Sequence, residues 1–188
     1  MIMDSMKKFD AAFDYVMINE GGLEENEADP GGITKYGISL RFLRSLGKEK
    51  LKEYNIYIGD IVTPEDINDL TFEQSKAVYF GEFWQKAQFE KLNRQEVVNY
   101  IFDMAVNMGI SPAIKCAQRA VWAVCKNKNV LQEDGILNDT TVGMINHCEF
   151  FIIASMRSER AGVYRLIVEK NPKEKIFLSD WLKRSYNK

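Results

Sequence analysis

From Ser39 onward helix-start signals recur at short intervals, and they leave little chain for a sheet. Ser39 precedes Leu40-Arg41-Phe42-Leu43, and Thr63-Pro64-Glu65-Asp66 sets an N-cap before a proline at the first helical position. Thr71-Phe72-Glu73-Gln74 and Asn93-Arg94-Gln95-Glu96 look like capping boxes. Ser111-Pro112 opens a segment carrying Ile114, Ala117, Val121 and Val124 at helical spacing, Asp134-Gly135 marks a turn, and Asp139 or Thr140 caps a short helix. A long helix is expected over 147–169, broken by Asn171-Pro172, with a last one bearing Phe177, Trp181 and Leu182. The expected class is mainly α.

Upstream, Phe9, Phe13, Val16 and Met17 fall at i, i+4, i+7 and i+8, the stripe of an amphipathic helix over 4–20. Gly21-Gly22 ends it. The polar chain from Leu23 to Ser39 holds the turn signature Asp29-Pro30-Gly31-Gly32 and the more β-like Ile33-Thr34-Lys35-Tyr36, which reads as a loop or small β-hairpin. With 188 residues, 46% of them hydrophobic, the chain can bury a core unaided. The segment Lys91-Leu92-Asn93 is a change of element, so we divide the chain at 1–92 and 93–188, two regions packed as one globule.

Composition excludes several function classes. Residues 1–95 carry a net charge of −5 and residues 96–188 one of +3, too mild a bias for a nucleic-acid reader. The single histidine, His147, gives a histidine triad or a metal site little to build on, so no metal or cofactor is expected. Cys116, Cys125 and Cys148 form an odd set without a C-x-x-C pair and read as reduced packing residues. No apolar run is long enough to span a bilayer, and Asp4 and Asp10 occupy the place of a signal peptide's apolar stretch. The expectation is a protein made in the cytoplasm and without stable membrane insertion; if it works elsewhere, something other than its own leader exports it.

Glu20 lies eleven residues after Phe9, close to three full turns, so it projects from the apolar face of its helix. Desolvation and the negative end of the helix dipole both disfavour a carboxylate there and push its pKa up. A carboxylic acid that keeps its proton near neutral pH is what cleavage of a glycosidic bond needs, because the leaving oxygen is protonated as the bond breaks. Asp29 and Thr34 follow within fifteen residues, a second carboxylate and a water-holding hydroxyl. Taken singly, each has a plainer role: Glu20 reaching solvent past the glycines, Asp29 in an ordinary turn, Thr34 in an ordinary loop. Together they supply the acid, the charge stabiliser and the water-positioning group of glycoside hydrolysis.

Asn19-Glu20-Gly21-Gly22, Asp29-Pro30-Gly31-Gly32-Ile33-Thr34 and Tyr36-Gly37-Ile38-Ser39 together resemble the signature of glycoside hydrolase family 108, the bacterial and phage N-acetylmuramidases, some of which carry the label secretion activator protein. Phe102-Asp103-Met104-Ala105-Val106-Asn107-Met108-Gly109, Gln118-Arg119-Ala120, Asp134-Gly135, Thr140-Thr141 and Phe177-Leu178-Ser179-Asp180-Trp181-Leu182-Lys183-Arg184 resemble the predicted peptidoglycan-binding region usually joined to it. The resemblance covers roughly 9–184 and implies a lysozyme-like helical fold with Glu20 as catalytic acid. The Glu…Asp…Thr order also resembles the triad of phage-type lysozymes, where the last spacing is one residue longer. The family's terminal motif often reads Gly-Trp-Leu-Asn-Arg; Asp180 and Lys183 stand here in place of the Gly and Asn.

The resemblance implies hydrolysis of the β-1,4 bond between N-acetylmuramic acid and N-acetylglucosamine, with peptidoglycan as partner and a holin or secretion apparatus releasing the enzyme from the cytoplasm to the cell wall or periplasm. A non-catalytic wall-binding or secretion-associated module and a lytic transglycosylase are the alternatives. Asp103 and Asn107, four apart on one helix face, are candidates for lining a saccharide groove or supplying a second carboxylate, or else for satisfying buried backbone or capping a neighbour. Tyr36, Trp84 and Trp122 are candidates for stacking on sugars, although Trp84 and Trp122 sit on helical patterns and read as core. Glu24, Glu25 and Glu27 are alternative second carboxylates in the loop, although they read better as a solvated charge run.

Overall fold

The structure, a computed structural model, describes residues 2–20, 23–24 and 33–186, and of residues 2, 3, 19, 20, 23 and 24 the backbone course alone. The chain divides into two compact units, residues 13–86 and residues 1–12 with 87–188. Helix α1 (Ile2–Glu20) gives its first residues to one and the rest to the other.

In the unit of residues 13–86, the end of α1 is followed by a small antiparallel sheet of β1 (Leu23–Glu24), β2 (Thr34–Lys35) and β3 (Ile38–Ser39), in that spatial order. Tyr36 and Gly37 form the two-residue turn between β2 and β3, with φ of 51° and 74°. Positive φ at both central residues is the turn whose twist matches a hairpin. Short helices follow: α2 (Leu40–Leu46), α3 (Lys48–Glu53), α4 (Pro64–Asn68) and α5 (Phe72–Tyr79), the last continuing into a π-helical turn, Phe80–Gln85. The starts of α2, α4 and α5 are those the sequence signals, whereas α3 follows Gly47 with no side-chain cap. The Ser39 side chain accepts from the Phe42 N–H at 3.1 Å, the Asp66 carboxylate accepts from the Thr63 N–H at 2.7 Å, and Thr71 and Gln74 cap each other. The core gathers Phe13, Val16, Leu43, Leu51, Ile67, Val78, Tyr79 and Trp84, with Phe13 edge-on to both Phe72 and Tyr79. Burying one such phenylalanine contributes about 1.5–3 kcal/mol.

In the other unit, a 3-10 turn (Phe89–Lys91) leads to α6 (Gln95–Met108), α7 (Ile110–Cys125), α8 (Asp139–His147), α9 (Ile152–Lys170), a second 3-10 turn (Pro172–Phe177) and α10 (Leu178–Tyr186). Helix α7 packs on α6 and α9, and α10 lies along α9. Phe9 and Phe89 meet Phe102 edge-on inside this unit.

Three boundaries differ from expectation. The α6 N-cap is Arg94 without a side-chain cap bond, and the Asn93 N–H, which a capping box would give to Glu96, goes to the Asn146 side chain at 2.9 Å. Asn138, not Asp139 or Thr140, caps α8, its Oδ1 accepting from the Thr141 N–H. The expected helix over 147–169 begins at Ile152, since α8 runs to His147 and Cys148 ends it. A mainly helical fold with a small hairpin after the first helix is otherwise as expected.

Candidate functional site

Glu20 is the last residue of α1, ahead of β1; its side chain, and Asp29 entirely, lie outside the described residues. Thr34 opens the central strand and is fixed in register from both sides, opposite Glu24 on β1 and Ser39 on β3. Its side chain is half-buried.

Tyr36 sits at the hairpin tip in the left-handed region, a conformation bulky side chains rarely take. Its surroundings hold it there. The Tyr79 hydroxyl donates to the Tyr36 carbonyl at 3.0 Å, the ring meets Phe72 edge-on at 5.7 Å, and the Lys35 ammonium lies 5.4 Å from the ring centre. Lys35 also donates to the Asn68 carbonyl, so the hairpin is fastened to both α4 and α5. The β-strand pair that carries Thr34 is therefore fastened to the helices of its unit through the hairpin tip.

A carboxylate that sequence reasoning did not single out lies in the same unit. Glu82, on the π-helical turn, is 6% exposed. The Tyr54 hydroxyl donates to Glu82 Oε1 at 2.6 Å, Lys86 pairs with Oε2, and Lys50 stands 3.9 Å away. Burial pushes this carboxyl up, but the Lys86 and Tyr54 bonds outweigh it and hold its pKa below the usual glutamate value. Burial and the neighbouring carboxylate push the Tyr54 phenol up to about 12. Gly81 makes room for this pair: a Cβ there would come within 2.3 Å of the Tyr54 hydroxyl. The signal was present in the sequence as Lys86 four residues after Glu82 within an aromatic run, but nothing there foretold the π turn.

Asp103 and Asn107 are both engaged by other side chains of their unit, Asn107 half-buried. Asp103 is fully buried, and Arg160 Nη1 donates to its Oδ2 at 2.6 Å while Arg184 grips it bidentately, with Nη2 to Oδ1 at 2.6 Å. Asn107 accepts from the Tyr164 hydroxyl, which accepts in turn from Arg160 Nε at 2.9 Å. Among the described residues Arg160 Nη2 has no hydrogen-bond partner, and the guanidinium lies against the rings of Tyr100 and Tyr164. Trp181 stacks on Tyr164 and Phe177. The four-residue spacing thus serves a buried ion cluster joining α6, α9 and α10, and the Trp181 and Arg184 of the terminal motif are its outer members.

Trp84 is buried, as expected of a core residue, but Trp122 is only half-buried. Its indole N–H donates to the Leu131 carbonyl at 3.0 Å, and its ring lines a cavity of about 580 Å³ together with Lys128, Gln132, Glu133, Asp134 and Asn138. Behind it, buried Gln118 donates to Asp134 at 2.7 Å and accepts from the Gly135 N–H, so the Asp134-Gly135 turn is held from α7. Gly135 at φ +74° lies against Ser111, where a side chain would clash. The lining combines an indole ring with amides, hydroxyls and charged groups of both signs, a surface that can offer both stacking and hydrogen bonds.

Among the described residues, no cluster of three or more metal-ligating side chains is present, and no helix is long and apolar enough to cross a membrane.

No protein of curated function matches the chain. The fold matches the structure titled "Structure of Brucella abortus SagA" with a TM-score of 0.67 and 22% identity, over 97% of this chain and 98% of that one. The family described as Glycosyl hydrolase 108 matches residues 13–109, from the second half of α1 to the end of α6. The chain belongs to glycosyl hydrolase family 108.

Proposed function

We propose that the protein is a peptidoglycan hydrolase that cleaves the β-1,4 bond between N-acetylmuramic acid and N-acetylglucosamine. The observation that carries this reading is the family match over residues 13–109, which spans the whole Glu20-to-Ser39 block. Glu20 is the general acid that protonates the leaving oxygen. Asp29 stabilises the oxocarbenium-like transition state or positions water, and Thr34, from its place in the central strand, assists. Tyr36, fastened at the hairpin tip, offers an aromatic ring on which a sugar can stack. The cavity beside Trp122 is a second contact for the wall polymer. In this reading the enzyme reaches the wall through a holin or a secretion apparatus.

Product chemistry tests the reading. Purified peptidoglycan is digested, the muropeptides are reduced with borohydride, and the products are weighed by mass spectrometry. Reducible muramic-acid ends are expected. Anhydro ends would make the protein a lytic transglycosylase, and binding to the wall without release of any fragment would make it a binding module.

A further inference from the structure

Cys125 and Cys148 lie with their sulfurs 3.4 Å apart, although 22 residues separate them in the chain. Cys125 is the last residue of α7, and Cys148 caps the end of α8. Cys116 differs from both: it is fully buried on α7, and the sulfur contact does not involve it. Cys125 is half-exposed and gives a soluble oxidant access, whereas Cys148 is 2% exposed. All three thiols are free in the structure. The chain between the pair includes the cavity-lining residues Lys128, Gln132, Glu133, Asp134 and Asn138, so the two sulfurs stand at the neck of the loop that shapes this cavity.

The geometry points to Cys125 and Cys148 as a site of disulfide formation, closed by a thiol–disulfide oxidant and locking the cavity loop at its base. The Cys125 thiolate attacks a sulfur of the oxidant's disulfide and one oxidant thiol leaves. The Cys148 sulfur, as its thiolate, then displaces the second oxidant thiol, so one S–S bond forms in the protein while one is cleaved in the oxidant. Both cysteine protons end on the two thiols released or in solvent. Burial pushes the Cys148 thiol up to about 11, which makes it slow to attack unaided and suits it to the second, intramolecular step. A reducing cytoplasm keeps the pair open and an oxidising exterior closes it. That biological setting rests on the wall-hydrolase reading; the thiol chemistry does not.

The test uses the full chain and needs no turnover. Protein is incubated with oxidised glutathione, alkylated in denaturant so that buried thiols react, and digested without reduction, and melting temperatures of the native protein are taken with and without dithiothreitol. Expected are one alkylated thiol at Cys116, a linked Cys125–Cys148 peptide, and a melting temperature about 5–10 °C higher than that of the reduced protein. Cys125→Ser abolishes the link and the shift, while Cys116→Ser keeps both. Three alkylated cysteines, glutathione retained on Cys125, or a link that leaves the melting temperature unchanged or lower would each overturn the inference.

Discussion

Arg184, near the end of the chain, grips the carboxylate of Asp103 on α6 with two guanidinium nitrogens, the nearer pair 2.6 Å apart. Arg160 closes on the same carboxylate from α9, so one buried negative charge holds two positive ones. The cluster fastens the terminal helix to the core, and the cost of breaking it comes from the charge left behind.

Asp103→Asn is therefore expected to destabilise the protein by about 3–5 kcal/mol in urea denaturation, because two guanidiniums lose their counter-charge in a dry site. Activity per folded molecule is expected to stay near wild type below the unfolding transition. A variant of normal stability with lost activity would return Asp103 to the substrate.

The Tyr54–Glu82 pair gives a pH signature. Glu82 has a folded pKa below its unfolded value, so its stabilisation is present above the ordinary glutamate pKa and is lost as pH falls through the folded one. The stability gap between wild type and Glu82→Gln is expected to be widest at neutral pH and to narrow as pH falls below the ordinary glutamate value of about 4.3. Thermal melts of both proteins across that range decide it, and a gap independent of pH would contradict the assignment. Gly81→Ala, which drives a methyl into the Tyr54 hydroxyl, is expected to cost about 1–3 kcal/mol.

The cavity beside Trp122 makes a separable prediction. Trp122→Leu is expected to weaken co-sedimentation with purified peptidoglycan by about 3- to 10-fold, the range of an aromatic contact beyond its buried area. Turnover on short soluble glycans should not change. Unchanged sedimentation would remove the cavity from wall binding.

Much of the fold was legible because local signals and tertiary packing agree. Thr71 and Gln74 are a capping box in the sequence and in the structure, and the Phe9-to-Met17 stripe fixed the course of α1. Failures came where a distant partner overrode a local signal. Asn93-Arg94-Gln95-Glu96 has the spacing of a cap, yet Asn146 takes the Asn93 N–H, a bond no short window reveals. Asp103 and Asn107 share a helix face as expected, but what occupies that face, Arg160, Tyr164 and Arg184, comes from chain 57 to 81 residues away. The Tyr36-Gly37 turn was missed because tyrosine is a poor residue for positive φ, and contacts with Phe72 and Tyr79 hold it there. Of the proposed catalytic set, the sequence gives the spacing of Glu20, Asp29 and Thr34, and the structure adds the strand register of Thr34.

The most direct measurement is the rate of muropeptide release from purified peptidoglycan by wild type and Glu20→Gln at equal concentration, with wall sedimentation and melting temperature recorded for both. Loss of the general acid is expected to lower the rate by about 10²–10⁴-fold while binding and stability hold. Release by Glu20→Gln within a few fold of wild type would contradict the assignment of Glu20 as the acid.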